Sequence, residues 1–239
     1  MNQKLTFIRQ GIVKHLFDFF MLFLAVSLGF VVDNYRDEFR SEQTALVLAG
    51  DLKADLVADS IEIQTMLHQC GRKMNKLDTL MNLIHQTSSP RNDTQLYYYS
   101  AFGNLRPWFE RHSSTYVLMM STGNLSNFTQ EASAAITRYY IEIQETVALL
   151  EQERGILNSK IFPFQQQHFQ IENFHSITHE NKFLSRPVMH RWDDESRWLY
   201  HNYVNEMKTQ NLHIAEQYQT LLTSGSACLT ILNKEYDLH

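Results

Sequence analysis

Among the residues that could do chemistry, Asp18 has the most unusual position, because it opens the only long apolar run of the sequence. Lys14 precedes it by four residues, so the two side chains can pair on one face of a helix. One interpretation is an ion pair at a membrane surface, where Lys14 holds the carboxylate near the lipid headgroups. The other is a working carboxylate among membrane helices, which alternates between charged and neutral states.

Histidines and acids between residues 164 and 191 form a second group that could do chemistry: His168, Glu172, His175, His179, Glu180 and His190. His175 and His179 are four residues apart and could share a helix face, as some metal sites require. The sequence has no H-E-x-x-H or Cys–His metal pattern, and eleven histidines in one chain make such clusters common. We therefore expect surface or interface histidines, with no bound metal and no cofactor.

No arrangement of residues predicts an enzyme. The best acid cluster, Asp193 and Asp194 beside His190, is explained more simply as negative charge at the start of a helix. The sequence shows no Ser/His/Asp order and no glycine-rich phosphate loop. Cys70 and Cys228 could pair in an oxidising compartment, but both fall inside helical patterns, so we expect two buried free thiols.

The element that must position Asp18 is the apolar run itself. Among the fourteen residues 19–32, Ser27 is the only polar one. Fourteen helical residues measure ~21 Å, short of a ~30 Å hydrocarbon core, and extension back to Ile12 supplies the missing length. The pattern predicts a transmembrane helix over residues 16–32, or 12–33 at its widest.

Two alternatives explain part of the run. A cleaved signal peptide would account for the preceding basic residues and for the small residues near Ala25. Asp18 and the continued apolarity to Val32 argue against it. A buried core helix would account for an apolar run of only fourteen residues. The hydropathy pattern favours the span.

Basic side chains flank the run and predict its orientation: Lys4, Arg9 and Lys14 precede it, and Arg36 and Arg40 follow it among several acids. Because Lys and Arg favour the cytoplasmic side, we expect residues 1–15 to be a cytoplasmic tail and residues 33–239 to lie outside. Ala25 and Gly29 form a small-xxx-small pair that lets a second helix approach closely, which favours oligomers.

Composition predicts helices for the rest of the chain. Glycine (8 residues) and proline (4 residues) are scarce, which suits long helices and argues against β-sandwiches or barrels. The 21 basic and 26 acidic residues give a net charge of −5, which argues against a nucleic-acid partner, since that needs a basic patch. About two hundred residues follow the anchor, enough for one domain with its own core.

A heptad pattern predicts a long stalk helix after the span. One series of core positions is Leu56, Ile63, Cys70, Leu77 and Ile84, and the other is Leu67, Met74 and Met81. A seam sustained over about four heptads indicates a helix packed along its length on other helices. The predicted fold is all-α, with one N-terminal transmembrane helix that continues into an elongated antiparallel helical bundle.

Capping residues divide the second half of the chain. Gly123 ends a short helix, Thr129 caps the next one, and Pro163 is predicted to end it. Asp193 or a neighbour opens the last helix, which Gly225 is predicted to bend.

A resemblance to a known family begins at the apolar run. Its first block is F-D-F-F, where Asp18 is the acid, with the exit D-N-Y-R-D-E, which holds Asn34 and Tyr35. A short Leu-rich block with acids, L-A-G-D-L-K-A-D-L, follows at residues 48–56. In these features the chain resembles a large family of uncharacterised single-span membrane proteins of Bacteroidetes. The exit departs from the family's Asn-aromatic-x-Glu pattern, because Asp37 stands at the glutamate position.

A third block extends the resemblance to about residue 145. The family's small-Gly-Asn-Leu turn matches S-T-G-N-L, with Gly123 and Asn124, and its paired tyrosines match Tyr139 and Tyr140 in R-Y-Y. The resemblance implies an α-helical domain in the periplasm, anchored to the bacterial inner membrane, and supplies no activity.

The sequence thus predicts a non-enzymatic scaffold or sensor: a helical domain on a membrane anchor that makes protein–protein contacts, as a homo-oligomer or within a membrane complex. The alternative is an accessory or ion-coupled subunit that uses Asp18 in the span, since acids inside membranes mark function by default. An enzyme is the third candidate, and no motif favours it.

Overall fold

The computed structural model describes residues 2–86, 92–103, 109–180 and 182–238, with side chains described from residue 19 onward. Within those residues the chain is helical and has no β-strand, which confirms the all-α prediction. The elements in chain order are α1 (Asn2–Ile84), α2 (Asp93–Gly103), α3 (Ser114–Thr122), a 3₁₀ turn (Asn124–Asn127), α4 (Gln130–Ile156), a π-helical turn (Leu157–Ile161), α5 (Phe162–His168), α6 (Ile171–Glu180) and α7 (Asp194–Tyr236).

Helix α1 joins the apolar run to the body without a break. It is 83 residues long and passes through both predicted boundaries, near residues 15 and 32. Residues 19–40 are exposed, apart from the half-buried Ser27, whereas Ala45 begins a regular series of buried positions. The apolar run and the stalk are therefore one helix, of which the first part stands away from the body.

Helix α7 is the centre of the body, because α1 and α4 both pack along it. It is antiparallel to α1: Lys53 Nζ donates a hydrogen bond to Leu238 O beyond the end of α7, and Lys208 near its start pairs with Asp78 near the end of α1. The start of α4 likewise contacts the end of α7. Helices α1 and α4 are therefore parallel, and the body is an antiparallel bundle.

One predicted core series of α1 is confirmed and the other is wrong. The confirmed series is buried throughout: Leu56, Ile63, Cys70, Leu77 and Ile84. Leu67, Met74 and Met81 are only half-buried. The second core series lies one residue earlier, at Leu52, Asp59, Met66, Lys73 and Leu80. Its two charged members interrupt the apolar pattern that marks a buried helix face.

Aromatic rings pack the half of the body farther from the apolar run. Tyr200 of α7 stacks on Phe164 of α5, with ring centroids 4.6 Å apart. Phe169 lies edge-on to Tyr200 and to Tyr97 of α2. Such offset and edge-to-face contacts stabilise a core beyond the area that they bury. Helices α2, α5 and α6 are held here around the end of α1.

Pro163 does not end a helix, contrary to the prediction. Helix α4 passes into the π-helical turn over Leu157–Ile161, and α5 follows with Pro163 in its first turn. The first turn of a helix does not use the N–H that proline lacks, and the π turn absorbs the change of register before it. The helical path therefore continues to His168.

Local signals at other helix ends are confirmed. Thr129 caps α4, where its side-chain oxygen accepts a hydrogen bond from the N–H of Ala132 at 3.1 Å. The carboxylate of Asp193 accepts one from the N–H of Ser196 at 2.8 Å and caps α7. Gly123 ends α3 with a φ of 72°, a left-handed conformation that glycine adopts without strain.

Gly225 lies buried inside α7, which runs unbroken through it. A Cβ atom at this position would lie 3.0 Å from the ring of Tyr139. That ring has no freedom to move aside, because Tyr139 is buried and its hydroxyl donates to Asp59. Gly225 therefore permits a close approach of α4 and α7.

Gly225→Ala is expected to destabilise the protein by about 1–3 kcal/mol, as overpacking of a rigid core does. The matched control is Gly71→Ala in α1, where nothing lies within 4 Å of the added Cβ. The control should stabilise by roughly 0.5–1 kcal/mol, since alanine is the better helix former. Thermal unfolding of the detergent-solubilised chain, followed by far-UV circular dichroism, measures both. Equal effects of the two substitutions would contradict the packing role of Gly225.

Candidate functional site

The most unusual surface of the described chain is the apolar segment of α1, residues 19–32. Its large apolar side chains are exposed by between 37% (Leu24) and 69% (Phe19). Monomeric soluble proteins rarely expose a continuous apolar surface of this size. By length and composition α1 could cross a membrane, with a mean hydropathy of 1.4 over its most apolar window. This agrees with the predicted span.

Charged residues cover the next part of α1, residues 33–44. The guanidinium of Arg36 lies 3.3 Å from Asp33 and 3.8 Å from Asp37, on a helix exposed to solvent. Two aromatic side chains, Tyr35 and Phe39, interrupt the charges and are also exposed. This segment therefore changes from an apolar to a polar surface within about one helical turn after Val32.

The predicted intramembrane pair, Asp18 and Lys14, lies in α1 but outside the described side chains. Ala25 and Gly29 are exposed on the apolar segment, and nothing lies within 4 Å of a Cβ added at Gly29. That face of the helix is therefore open to a neighbouring helix.

The residues that carry the family resemblance lie in three different places. Asn34 and Tyr35 are exposed on α1, just after the apolar segment. Gly123 ends α3 and Asn124 begins the 3₁₀ turn, in which Asn127 Nδ2 donates to Asn124 Oδ1. Tyr139 and Tyr140 are buried in α4. The structure therefore does not bring these residues together into one site.

The buried carboxylate of Asp59 is the centre of a polar cluster between α1, α4 and the segment before α3. Asp59 is fully buried. Its Oδ2 accepts a hydrogen bond from the Tyr139 hydroxyl at 2.8 Å. Its Oδ1 accepts from the backbone N–H of His112 at 2.9 Å and lies 2.8 Å from His112 Nδ1. Three donors thus satisfy the carboxylate inside the protein, as burial of a charge requires.

The same cluster holds the segment 109–113 against α1. Glu62 Oε1 accepts a hydrogen bond from the N–H of Glu110 at 2.7 Å, one turn of α1 away from Asp59. The Tyr140 hydroxyl donates to the carbonyl of His112 at 3.3 Å. Burial raises the pKa of the Tyr139 and Tyr140 hydroxyls, and nearby carboxylates raise it further. Both tyrosines therefore remain neutral donors.

A second polar contact crosses the core two heptads farther along α1. Lys73 Nζ donates to Glu153 Oε1 at 2.6 Å, and the two side chains are only 4% and 2% exposed. In the same layer, Asn211 of α7 donates to the carbonyl of Cys70 at 3.0 Å. Burial and the Glu153 charge raise the pKa of the Cys70 thiol to about 11. This layer links all three long helices of the bundle.

Histidines of the region 164–191 contact aromatic rings, carbonyls and one another. His168 is buried against the ring of Phe164, and its Nδ1 lies 2.9 Å from the carbonyl of His190. His175 and His179 share a face of α6, as predicted, with ring centroids 4.2 Å apart. Among the described residues no three metal-ligating side chains form a group.

The two cysteines of the chain are free and buried, as the sequence predicted. Burial also raises the pKa of Cys228, to about 12. A groove of about 650 Å³ runs between α4 and α7, lined largely by small side chains. Its charged lining residues, Glu131, Arg138 and Glu216, are exposed, so they lack the burial that tunes a catalytic acid or base.

Comparison of the chain with protein-family models, with curated proteins and with solved structures finds no match. The resemblance of the three sequence blocks therefore stays a prediction.

We predict that Lys73→Met destabilises the body by about 3–5 kcal/mol, because it leaves the charge of Glu153 buried without a partner. The double variant Lys73→Met/Glu153→Leu should recover most of that loss, since an apolar pair of similar volume can replace a buried ion pair. Urea unfolding of both variants and of Glu153→Leu completes a double-mutant cycle. If the free-energy losses of the two single variants simply add in the double variant, the two side chains do not act as a pair.

The His112–Asp59 contact predicts a pH-dependent contribution to stability. The hydrogen bond to Asp59, with the charges of Asp59, Asp55 and Glu62, raises the pKa of His112 above its usual 6.5. A raised pKa means that the contribution is complete below the unfolded-state pKa and is lost as pH rises through the folded-state pKa. The melting temperature of wild type should therefore exceed that of His112→Gln at about pH 5.5, and the difference should shrink by about pH 8.5.

Circular dichroism melts in the same detergent at both pH values measure this difference. His175→Gln on the exposed face of α6 is the control, since the described contact of its ring is with the ring of His179. A constant difference across the pH range would mean that His112 carries no stabilising charge.

Proposed function

We propose that this chain is a membrane-anchored helical scaffold or sensor, whose bundle makes protein–protein contacts beside the bilayer. The observation that carries the proposal is the exposed apolar segment, residues 19–32, on the same helix as the core seam of the body. In water that segment would leave fourteen consecutive residues unburied, whereas a bilayer would cover them.

The continuity of α1 supports an anchor that also positions the body. Twelve helical residues, 33–44, lie between the apolar segment and the first buried position, Ala45. At ~1.5 Å per residue they hold the body ~18 Å from the apolar segment. A helix, unlike a flexible linker, fixes that distance and transmits rotation and tilt. A bundle held in this way presents the same surface to neighbouring membrane proteins at a constant height.

The polar interior of the body supports a structural role for its titratable groups. Asp59 is satisfied by His112 and Tyr139, and Lys73 is paired with Glu153. Each contact joins different elements of the bundle. These groups therefore fix the geometry of the body, and we propose no catalytic role for them.

Charge distribution supports one orientation. With Lys4, Arg9 and Lys14 before the span, the N-terminus lies in the cytoplasm and the body lies in the periplasm of a bacterial inner membrane. Buried thiols with a raised pKa suit an oxidising compartment, because the thiolate is the reactive form.

The test is extraction of the intact chain from membranes. Wild type should stay in the pellet after an alkaline wash and dissolve only in detergent. Phe23→Asp/Leu28→Asp should move to the supernatant, since each acid in the middle of a span costs about 2.5–3.5 kcal/mol on insertion scales. The matched control is Val57→Asp/Ile61→Asp, which adds the same charges at exposed positions of α1 in the body.

Release of wild type by the wash alone, or retention of Phe23→Asp/Leu28→Asp, would contradict the anchor. Asp18→Asn separates the scaffold from the alternative, an ion-coupled subunit of a membrane complex. A scaffold keeps its membrane location and its cross-linked partners in the Asp18→Asn variant. If the chain is an ion-coupled subunit, the Asp18→Asn variant keeps the cross-linked partners but loses its function in cells.

A further inference from the structure

We infer that α1 pairs in parallel with α1 of a second copy of this chain, along one exposed apolar stripe that continues from the membrane segment into water. The inference rests on the proposed membrane anchor. We name this surface the α1 stripe, and its members are Met21, Ala25, Leu28, Val32, Tyr35, Phe39 and Leu46.

The α1 stripe has heptad spacing. Ala25, Val32, Phe39 and Leu46 follow one another at intervals of seven and take one core position of a coiled coil. Met21, Leu28 and Tyr35 take the other core position. On a straight helix a stripe with this spacing drifts by ~20° per heptad, and supercoiling around a partner with the same spacing removes the drift.

The aqueous end of the stripe distinguishes pairing from simple membrane insertion. Tyr35 lies one turn after Val32, where aromatic residues commonly sit at the lipid–water interface. Phe39 lies seven residues after Val32, ~10 Å farther along the helix, and Leu46 lies ~21 Å farther. Phe39 is 53% exposed. Lipid would cover the first part of the stripe but not Phe39 or Leu46.

A second copy fits this surface better than an unrelated partner. The partner must be a helix that crosses the membrane and leaves it at the same depth as α1. It must also carry apolar residues at both core positions of the same heptads. Another α1 in the same membrane satisfies all three conditions, because insertion fixes its direction and depth. In a parallel pair each residue of the stripe then meets its own copy.

Pairing ends where the body begins. The second series of the stripe continues at intervals of seven into Ala49, Leu56 and Ile63, which are buried in the body. Two copies therefore associate only along residues 21–46, before the buried positions of the same series begin. Ala25 belongs to the stripe and Gly29 lies beside it, which lets the two backbones approach closely within the membrane.

Glu42 is the polar member of the second series, seven residues after Tyr35. In a parallel pair the two Glu42 carboxylates would face each other at a core position, and their repulsion would weaken the pair at the end nearest the body. The inference therefore predicts that Glu42→Leu increases the dimeric fraction.

Single-cysteine cross-linking in membranes of expressing cells tests the inference. Cysteine is placed in turn at positions 32 to 46 of the full chain, and dimers formed by mild oxidation are measured. The native thiols need no removal, because Cys70 and Cys228 are buried and poorly reactive. Disulfide dimers should be abundant at positions 32, 35, 39 and 46, with a period of about 3.5 residues, and absent at 33 and 37 on the opposite face.

Two variants check the surface independently of cysteine chemistry. Phe39→Lys should abolish dimers that an amine-reactive cross-linker captures in wild type, whereas Asp37→Lys on the opposite face should leave them. Both variants add a lysine at an exposed position, so their reactivity with the cross-linker is matched.

A membrane-bound chain that gives no dimers, uniform dimers at all positions, or a maximum centred on position 37 would overturn the inference and leave the anchor standing. A chain that is absent from the membrane pellet would overturn the anchor and the inference together. Alkaline extraction of the same samples distinguishes the two failures.

Discussion

The large apolar side chains of residues 19–32 are left exposed by the described part of the chain, and this exposure is the constraint that governs the rest of the molecule. Burial of apolar surface yields roughly 25 cal/mol per Å², so a segment with this much exposed hydrocarbon must find another cover. Because α1 carries both this segment and the core seam of the body, whatever covers the segment also fixes the position of the bundle. In the arrangement that we propose, lipid covers the apolar segment, and a second α1 covers the stripe that continues beyond it.

A second constraint acts on the body. Its three long helices must keep a fixed alignment, although their apolar surfaces could slide past one another. Asp59 contacts Tyr139, and Lys73 contacts Glu153, and in both pairs the partners are 80 positions apart in sequence. The two contacts therefore hold α1 and α4 in one register, because any shift would leave buried charges without partners. Specification of register is the best-attested role of buried polar groups in helix bundles. Gly225 adds a steric constraint by admitting the ring of Tyr139 between α4 and α7.

Sequence patterns were sufficient where a single local feature decides the structure. The apolar run, the heptad series from Leu56 to Ile84 and the caps at Thr129, Asp193 and Gly123 are of this kind. The polar clusters could not be predicted, because the partners of Asp59 and Lys73 lie in α4 and in the segment before α3, far away in sequence. A charged residue at a core position also resembles a surface residue. The spacing held a usable signal: both residues belong to the heptad series of Leu52, Met66 and Leu80. The prediction that Pro163 ends a helix was wrong because the effect of this proline depends on the π-helical turn before it.

Amide hydrogen exchange of the full chain in phospholipid vesicles, read by mass spectrometry, tests most directly whether a bilayer covers the apolar segment. Water is absent from the hydrocarbon core, so amides within it exchange very slowly. The account predicts that amides of residues 21–32 remain protected for hours, longer than those of the water-exposed residues 33–40 on the same helix. Equal exchange of the two segments in vesicles would contradict it, because α1 would then stand in water along its whole projecting length.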